Sequence, residues 1–145
     1  MRPEDLLTAD QQATVVDAVR LAEKGTSGEI RIHIDGECSI DPMHRAEEVF
    51  NRLGMYRTKL RNGVLIYLAC NSKVFAIIGD EGINKRVPEH FWEDVLEIMG
   101  TRFREGRFTE GLAEAVTTVG KKLKFFFPYS SEDINEQPDD ISFGK

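Results

Sequence analysis

Apolar residues recur at helical spacing in four parts of the chain. The first helix is predicted over residues 9–24, where the apolar residues share one face. Thr8 and Gln11 form a capping box at its start, and Gly25 stops it. The same spacing predicts three further helices over residues 42–53, 88–104 and 108–126.

Three strands are predicted between these helices. Glu29–Asp35 alternates, with isoleucines on one face and polar side chains on the other. Residues 64–69 are apolar on both faces, which is typical of a central strand covered by helices on each side. Residues 74–78 follow after a short polar turn, so these two strands are predicted to form a hairpin.

The order of the elements predicts the fold class. A strand, a helix and a second strand in succession form a βαβ unit, in which the two strands run parallel. The hairpin then adds a third, antiparallel strand. We therefore predict an α/β fold: an α/β/α sandwich with a small mixed β-sheet, built from the βαβ unit and the hairpin and flanked by about four helices.

Length and composition indicate one domain followed by a tail. The chain has 145 residues, 41% of them hydrophobic and 30% charged, which is enough to bury a core. The periodic pattern ends near Pro128, so we predict a domain over residues 1–128 and an acidic C-terminal tail over residues 129–145. The tail is expected to be extended or disordered, unless Ile141 and Phe143 dock on the body.

Several classes of protein are excluded by composition and motif. The chain has no apolar run long enough to span a bilayer and no signal-peptide core, and we predict no membrane partner. It has no clustered basic face for nucleic acid and no histidines at zinc-ligand spacing. Cys38 and Cys70 suit free thiols in a reducing compartment. We therefore expect a cytoplasmic monomer.

The predicted topology brings three distant segments to one edge of the sheet. The two parallel strands begin there and the hairpin strand ends there, which places residues 26–29, 61–63 and 79–82 together. These segments carry carboxylates, hydroxyls and a carboxamide, the oxygen ligands that Ca²⁺ and Mg²⁺ prefer. We predict a divalent-metal site whose ligands are Glu29 and Asp80, supported by Asn62 and Thr26.

A purely structural role explains the same residues. In this interpretation Asp80 and Glu81 are turn residues and Thr26 caps backbone groups together with Ser27. Glu29 would then pair with Arg61 across the strands. The sequence pattern alone does not distinguish the metal site from this structural role.

The opposite edge of the sheet is a second candidate. Ligands in open α/β sheets bind outside the carboxyl ends of the parallel strands, which favours this edge. Its polar residues are Asp35, Glu37, Ser39 and Asp41, near the turn at residues 70–73. Asp41 already has a role as a helix cap, so this edge is the weaker candidate.

The combination of motifs resembles the TPM-domain family. The resemblance rests on residues 26–31, 61–67 and 78–83, continues through residues 91–92 and 108–111, and covers roughly residues 6–128. It implies an α/β/α sandwich, divalent-cation binding in some members and acid-phosphatase activity in thylakoid relatives. The positions to which the resemblance transfers the family's site are Glu29, Asn62, Gly63 and Asp80. Because the signal peptide, membrane segment and Gly-rich C-terminus of many relatives are missing, the chain resembles the compact cytoplasmic bacterial version.

Three functions follow as hypotheses. The favoured one is a Ca²⁺- or Mg²⁺-binding module with a binding or regulatory role, because no nucleophile and no second ligand set are found. The alternative is a metal-assisted acid phosphatase acting on phosphomonoesters, in which Arg61 stabilises the phosphoryl charge; whether the chain is an enzyme is left open. The third is a scaffold that recognises a protein partner through its acidic tail.

Overall fold

The computed structural model describes residues 1–129 and 138–145. The fold is built on one mixed sheet, whose strands are β1 Glu29–Asp35, β2 Gly63–Ala69, β3 Val74–Gly79 and β4 Ser142–Phe143. The strand order is β3-β2-β1-β4. β1 and β2 run parallel, β3 is antiparallel to β2, and β4 is parallel to β1. The βαβ unit and the hairpin predicted from the sequence are therefore confirmed.

The four predicted helices are present, and the described residues contain one short α-helix and two short 3-10 helices besides them. Thr8 caps the first helix with the predicted capping box, and Asp41 caps the second through the His44 N–H. Within the described residues, none of the helices combines the length and apolar character needed to cross a bilayer. The helices are α1 Ala9–Glu23, α2 Pro42–Arg52, α3 Glu81–Asn84, α4 Phe91–Arg104 and α5 Phe108–Phe126.

The core lies on both faces of the sheet. Every residue of β2 is buried, as its continuous apolar run predicts. Val64 and Ile66 face a core shared with α1, α4 and α5, whereas Leu65 and Tyr67 face a smaller core against α2. The helices therefore cover the sheet on both sides, and the predicted α/β sandwich is confirmed.

The last described residues pack against the body of the domain. Ile141 is buried, and Ser142 and Phe143 extend the sheet by pairing with the end of β1. The Gly144 N–H continues this contact by donating to the Ile34 carbonyl at 3.0 Å. The part of the predicted acidic tail over residues 130–137, on which the scaffold hypothesis largely rests, lies outside the described residues. The boundary at residue 128 stays a prediction, as do the monomeric state and the cytoplasmic location.

Candidate functional site

The three segments predicted to meet at one edge do lie side by side. In the sheet register, Glu29 pairs with Gly63 across β1 and β2. The Glu29 N–H donates to the Asn62 carbonyl at 3.4 Å, and the Asp80 N–H donates to the Gly63 carbonyl at 2.9 Å. We call residues 26–29, 61–63 and 79–82 the strand-start edge.

Asn62 carries the clearest sign of a ligand at the strand-start edge. The residue is only 1% exposed. Its backbone N–H donates to Thr58 Oγ1 at 3.1 Å, and its Nδ2 donates to Ser27 Oγ at 3.2 Å. Its Oδ1 is buried and accepts no hydrogen bond from any described residue. Because a buried amide oxygen without a donor is costly, this atom is suited to a cation.

Glu29, whose backbone N–H donates to the Asn62 carbonyl, adds a buried carboxylate to this edge. The residue begins β1 and is 3% exposed, and its Oε2 is among the buried atoms. Burying a carboxylate costs free energy unless positive charge or hydrogen bonds compensate it. The backbones of Glu29 and Asn62 are hydrogen-bonded to each other, so the two residues lie at the same edge of the sheet, as the sequence predicts.

A second carboxyl group near the start of β1 was not predicted. Glu23, at the end of α1, accepts a hydrogen bond from the Ile30 N–H at 2.7 Å and is hydrogen-bonded to Asp139. Burial, the bond to Asp139 and the negative charge of Glu29 raise the pKa of Glu23 to about 10. The hydrogen bond between the two carboxyl groups ties the C-terminal segment to α1. No sequence pattern indicates this pair of carboxyl groups, because Asp139 is distant from Glu23 along the chain.

Asp80 is held by Arg61 and by the start of α3. Its Oδ2 accepts from Arg61 Nε at 2.7 Å, and its Oδ1 accepts from Arg61 Nη2 at 2.9 Å. Oδ1 also accepts from the Glu81 N–H at 2.8 Å, so that Asp80 is the N-cap of α3. A cation that binds Asp80 must therefore compete with the guanidinium of Arg61.

The hydroxyl of Thr26 is used within the fold. Its single proton is shared between the carbonyls of Leu123 and Phe127, which lie 2.9 and 2.5 Å from the hydroxyl oxygen, and so the hydroxyl caps the end of α5. It accepts from the Gly28 N–H at 3.0 Å. These contacts give Thr26 the backbone-capping role of the structural interpretation, and they fix the loop that leads into Glu29.

The strand-start edge offers mixed oxygen ligands rather than a carboxylate cage. Across residues 1–129 and 138–145, no three histidine, cysteine, aspartate or glutamate side chains are grouped closely enough to hold a metal ion. A cation at this edge would need the Asn62 amide, the Ser27 hydroxyl or backbone carbonyls besides the carboxylates. Ca²⁺ accepts such a mixture in loose geometry, so the donor set fits a weakly held hard cation.

At the opposite edge, Asp35 is the centre of a buried charged network. Its Oδ1 lies 2.8 Å from His33 Nε2, and its Oδ2 accepts from Arg45 Nε at 2.8 Å and from the Tyr67 hydroxyl at 2.7 Å. His33 Nδ1 lies 2.9 Å from Ser142 Oγ, which links the network to β4. Burial alone would raise the pKa of Asp35, but these hydrogen bonds together hold it well below its usual range.

The other residues of this second candidate edge have separate partners. Asp35, Glu37 and Ser39 border the same open cavity of about 570 Å³. Glu37 accepts from Ser72 Oγ at 3.1 Å, and Asp41 caps α2. Because both oxygens of Asp35 are engaged in its network, this edge is less suited to a cation than the strand-start edge.

Comparison with known proteins identifies the family to which the fold belongs. Residues 1–122 match the family model described as the TPM domain. The BA42 protein from the psychrophilic bacterium Bizionia argentinensis, whose structure was determined by NMR, is 45% identical in sequence to this chain. The similarity covers 97% of each chain, with a TM-score of 0.90. The resemblance found in the sequence motifs is confirmed.

More distant structures share the fold alone. The N-terminal domain of a protein from P. gingivalis is 19% identical, covers 83% of this chain and 78% of its own, and has a TM-score of 0.69. The N-terminal domain of the cg2496 protein from Corynebacterium glutamicum is 11% identical, with coverages of 90% and 81% and a TM-score of 0.61. No curated protein matches the chain. On the match over residues 1–122 and the similarity to BA42, the chain belongs to the TPM domain family.

Proposed function

We propose that the chain is a divalent-cation-binding TPM domain that holds Ca²⁺ or Mg²⁺ at the strand-start edge in a binding or regulatory role. The observation that carries this proposal is the buried Oδ1 of Asn62, which accepts no hydrogen bond from the described residues. A cation would satisfy this oxygen, and Glu29, whose backbone N–H donates to the Asn62 carbonyl, would add negative charge to the site.

Each predicted site residue has a distinct part in this proposal. Glu29 supplies negative charge, and Asn62 supplies its amide oxygen. The Nδ2 of the same amide donates to Ser27 Oγ, which anchors the side chain. Asp80 adds a second carboxylate once Arg61 turns outward, which is feasible because the Arg61 side chain is 42% exposed. Thr26 positions the loop before Glu29. Ca²⁺ is favoured over Mg²⁺, since Mg²⁺ demands near-ideal octahedral geometry.

Titration of the isotope-labelled protein with each cation tests the proposal. We expect saturable amide shifts centred on the strand-start edge. Glu29→Gln should weaken Ca²⁺ binding by about tenfold or more, because it removes a buried charge from the site while keeping the side-chain shape. Glu81→Gln is the matched control: it makes the same change on the same edge, but the Glu81 side chain is 60% exposed, and Ca²⁺ affinity should stay within about twofold.

Two results of this titration contradict the proposal. One is the absence of saturable shifts at millimolar Ca²⁺ and Mg²⁺. The other is an unchanged Ca²⁺ affinity in Glu29→Gln, which would remove Glu29 from the site.

A metal-assisted acid phosphatase is the second candidate function. It is favoured by the position of Arg61, a partly exposed guanidinium beside Asp80, and by the name of the matching family model, TPM phosphatase. A bound cation would polarise a phosphoryl group and activate a water molecule. Arg61 would then stabilise the phosphoryl charge, which requires that it leave its ion pair with Asp80.

Arg61→Gln separates the two functions. This change removes the group that competes for Asp80, so cation binding alone predicts an equal or higher Ca²⁺ affinity. Phosphatase activity predicts that hydrolysis of p-nitrophenyl phosphate falls by about tenfold or more in the same variant. Asp80→Ala should reduce cation binding under both functions. If the wild-type chain showed no cation-dependent hydrolysis, cation binding would be the one remaining function of the two.

A further inference from the structure

A cavity of about 530 Å³ opens far from the strand-start edge, beyond the carboxyl end of β2. Its walls are mainly the rings of Phe75, Phe103 and Phe108, with Leu68 beside them. The volume is that of a pocket for a small organic molecule. The location is also the one that open α/β sheets use for ligands. We call it the phenylalanine cavity.

The three aromatic rings form a continuous wall that is only partly covered. Phe75 and Phe103 meet edge to face with 5.2 Å between ring centroids, and Phe103 and Phe108 are tilted with the same separation. All three side chains are half-buried rather than buried. Such a wall offers apolar area and ring edges to a second aromatic or branched apolar group.

Two cations border the phenylalanine cavity, and neither forms an ion pair within the described residues. Arg104 approaches only the hydroxyl of Thr101, at 3.4 Å, and no carboxylate contacts Lys73 there. Glu105 is adjacent to Arg104 in sequence but pairs with arginines 102 and 107 instead. Uncompensated positive charge is notable in a chain of net charge −6. It gives the cavity a preference for an anion.

The backbone at Lys73 adds an independent observation. Lys73 has φ 57°, in the left-handed region that glycine adopts freely and other residues rarely do. The hairpin turn would therefore fit glycine better, yet a long cationic side chain is held there beside the cavity. Strain of this kind is concentrated at ligand-binding positions in proteins.

Cys70, which also lines the cavity, contributes no negative charge. Burial raises the pKa of its thiol, so the sulfur remains protonated at neutral pH. None of the described side chains lining the cavity is acidic. The charge presented to a ligand is therefore positive only.

We propose that the phenylalanine cavity binds a small amphiphilic anion with an aromatic or branched apolar body and one carboxylate. The body lies against the three phenylalanine rings, and the carboxylate is directed to Lys73 and Arg104. This site is independent of the proposed cation site, because it uses none of the residues of the strand-start edge.

The test is a titration of the isotope-labelled chain with 4-phenylbutyrate and with its neutral counterpart 4-phenylbutanol. We expect saturable shifts in residues 68–75 and 100–108 with the carboxylate. The alcohol should bind at least about fivefold more weakly, because it lacks the charge that the two cations stabilise.

Two variants make the test independent of folding. Lys73→Gly removes a cation and relieves the left-handed backbone, so it should fold at least as stably as the wild type. Arg104→Gln removes the other cation at an exposed helix end. Each should weaken binding of 4-phenylbutyrate by about fivefold and leave the alcohol unchanged. Lys121→Gln, an exposed lysine on α5 that does not line this cavity, should change neither.

Any of four outcomes overturns the proposal. The first is no saturable shift at millimolar 4-phenylbutyrate, and the second is a set of shifts centred outside the cavity. The third is equal affinity for the acid and the alcohol. The fourth is an undiminished affinity for the acid in both charge variants.

Discussion

Replacing Asp35 by alanine is expected to lower the free energy of unfolding by about 3–5 kcal/mol, the usual cost of removing one partner from a buried ion pair. Asp35 is 1% exposed and accepts from Arg45 and from the Tyr67 hydroxyl. Without it, the buried Tyr67 hydroxyl loses this acceptor, and the half-buried guanidinium of Arg45 keeps only the exposed Glu48 as its acidic partner. Denaturant unfolding at neutral pH measures the change.

The matched control for this prediction is Glu48→Gln. Glu48 also accepts a hydrogen bond from Arg45, at 3.3 Å, but its side chain is 50% exposed. Exposed ion pairs contribute at most about 1 kcal/mol, so this variant should unfold almost like the wild type. If the two variants lost similar amounts, the Asp35 network would have no special part in stability.

The pH dependence of the Asp35 network has a definite sign. Because the folded-state pKa of Asp35 is lowered from 3.8, the folded chain binds fewer protons at this group than the unfolded chain. The stabilisation is therefore fully present above about pH 4 and is lost as the pH falls below that value. Asp35→Asn should accordingly differ most from the wild type at neutral pH and least in acid. A difference that grew towards acid pH would contradict the lowered pKa.

The elements with strong periodicity could be predicted from the sequence. The run over residues 64–69 is apolar at every position, and only burial on both faces accounts for such a run in a strand. Once the central strand and the hairpin were placed, topology alone brought Glu29, Asn62 and Asp80 to one edge. The prediction of the strand-start edge thus needed no knowledge of side-chain contacts.

What could not be predicted depends on short elements and distant contacts. α3 spans four residues and β4 two, which is too short for periodicity to show. The bidentate contact between Arg61 and Asp80 depends on side-chain conformations that no spacing rule encodes. The bond between Glu23 and Asp139 joins the first helix to the C-terminal segment, so only the folded chain brings these two carboxyl groups together.

Gly82→Ala is expected to destabilise the domain by about 3 kcal/mol, at the upper end of the usual cost of overpacking. Gly82 lies in α3, and its N–H donates to the Arg61 carbonyl at 2.8 Å. A methyl group there would stand 2.6 Å from the Arg61 carbonyl oxygen and closer still to that of Leu60. Both obstacles are backbone atoms, so no side-chain rotation relieves the clash. Denaturant unfolding measures the loss.

Gly106→Ala is the matched control, because it tests the cost of a left-handed backbone conformation without a steric clash. Gly106 has φ 76°, but no heavy atom beyond its own residue and its two chain neighbours lies within 4 Å of the position that a methyl group would take. Its replacement should therefore cost only backbone strain, about 1 kcal/mol. If Gly82→Ala lowered the free energy of unfolding no more than Gly106→Ala does, α3 would be able to move away from residues 60–61 without cost.

The Gly82 substitution also links the fold to the proposed cation site. The displaced chain at residues 60–61 leads directly into Asn62, and the displaced helix is capped by Asp80. Gly82→Ala should therefore weaken Ca²⁺ binding even under conditions where the variant is fully folded, whereas Gly106→Ala should not. Unchanged Ca²⁺ affinity in folded Gly82→Ala would place the cation away from Asn62 and Asp80, because those two residues cannot keep their separation when α3 and its neighbouring loop are pushed apart.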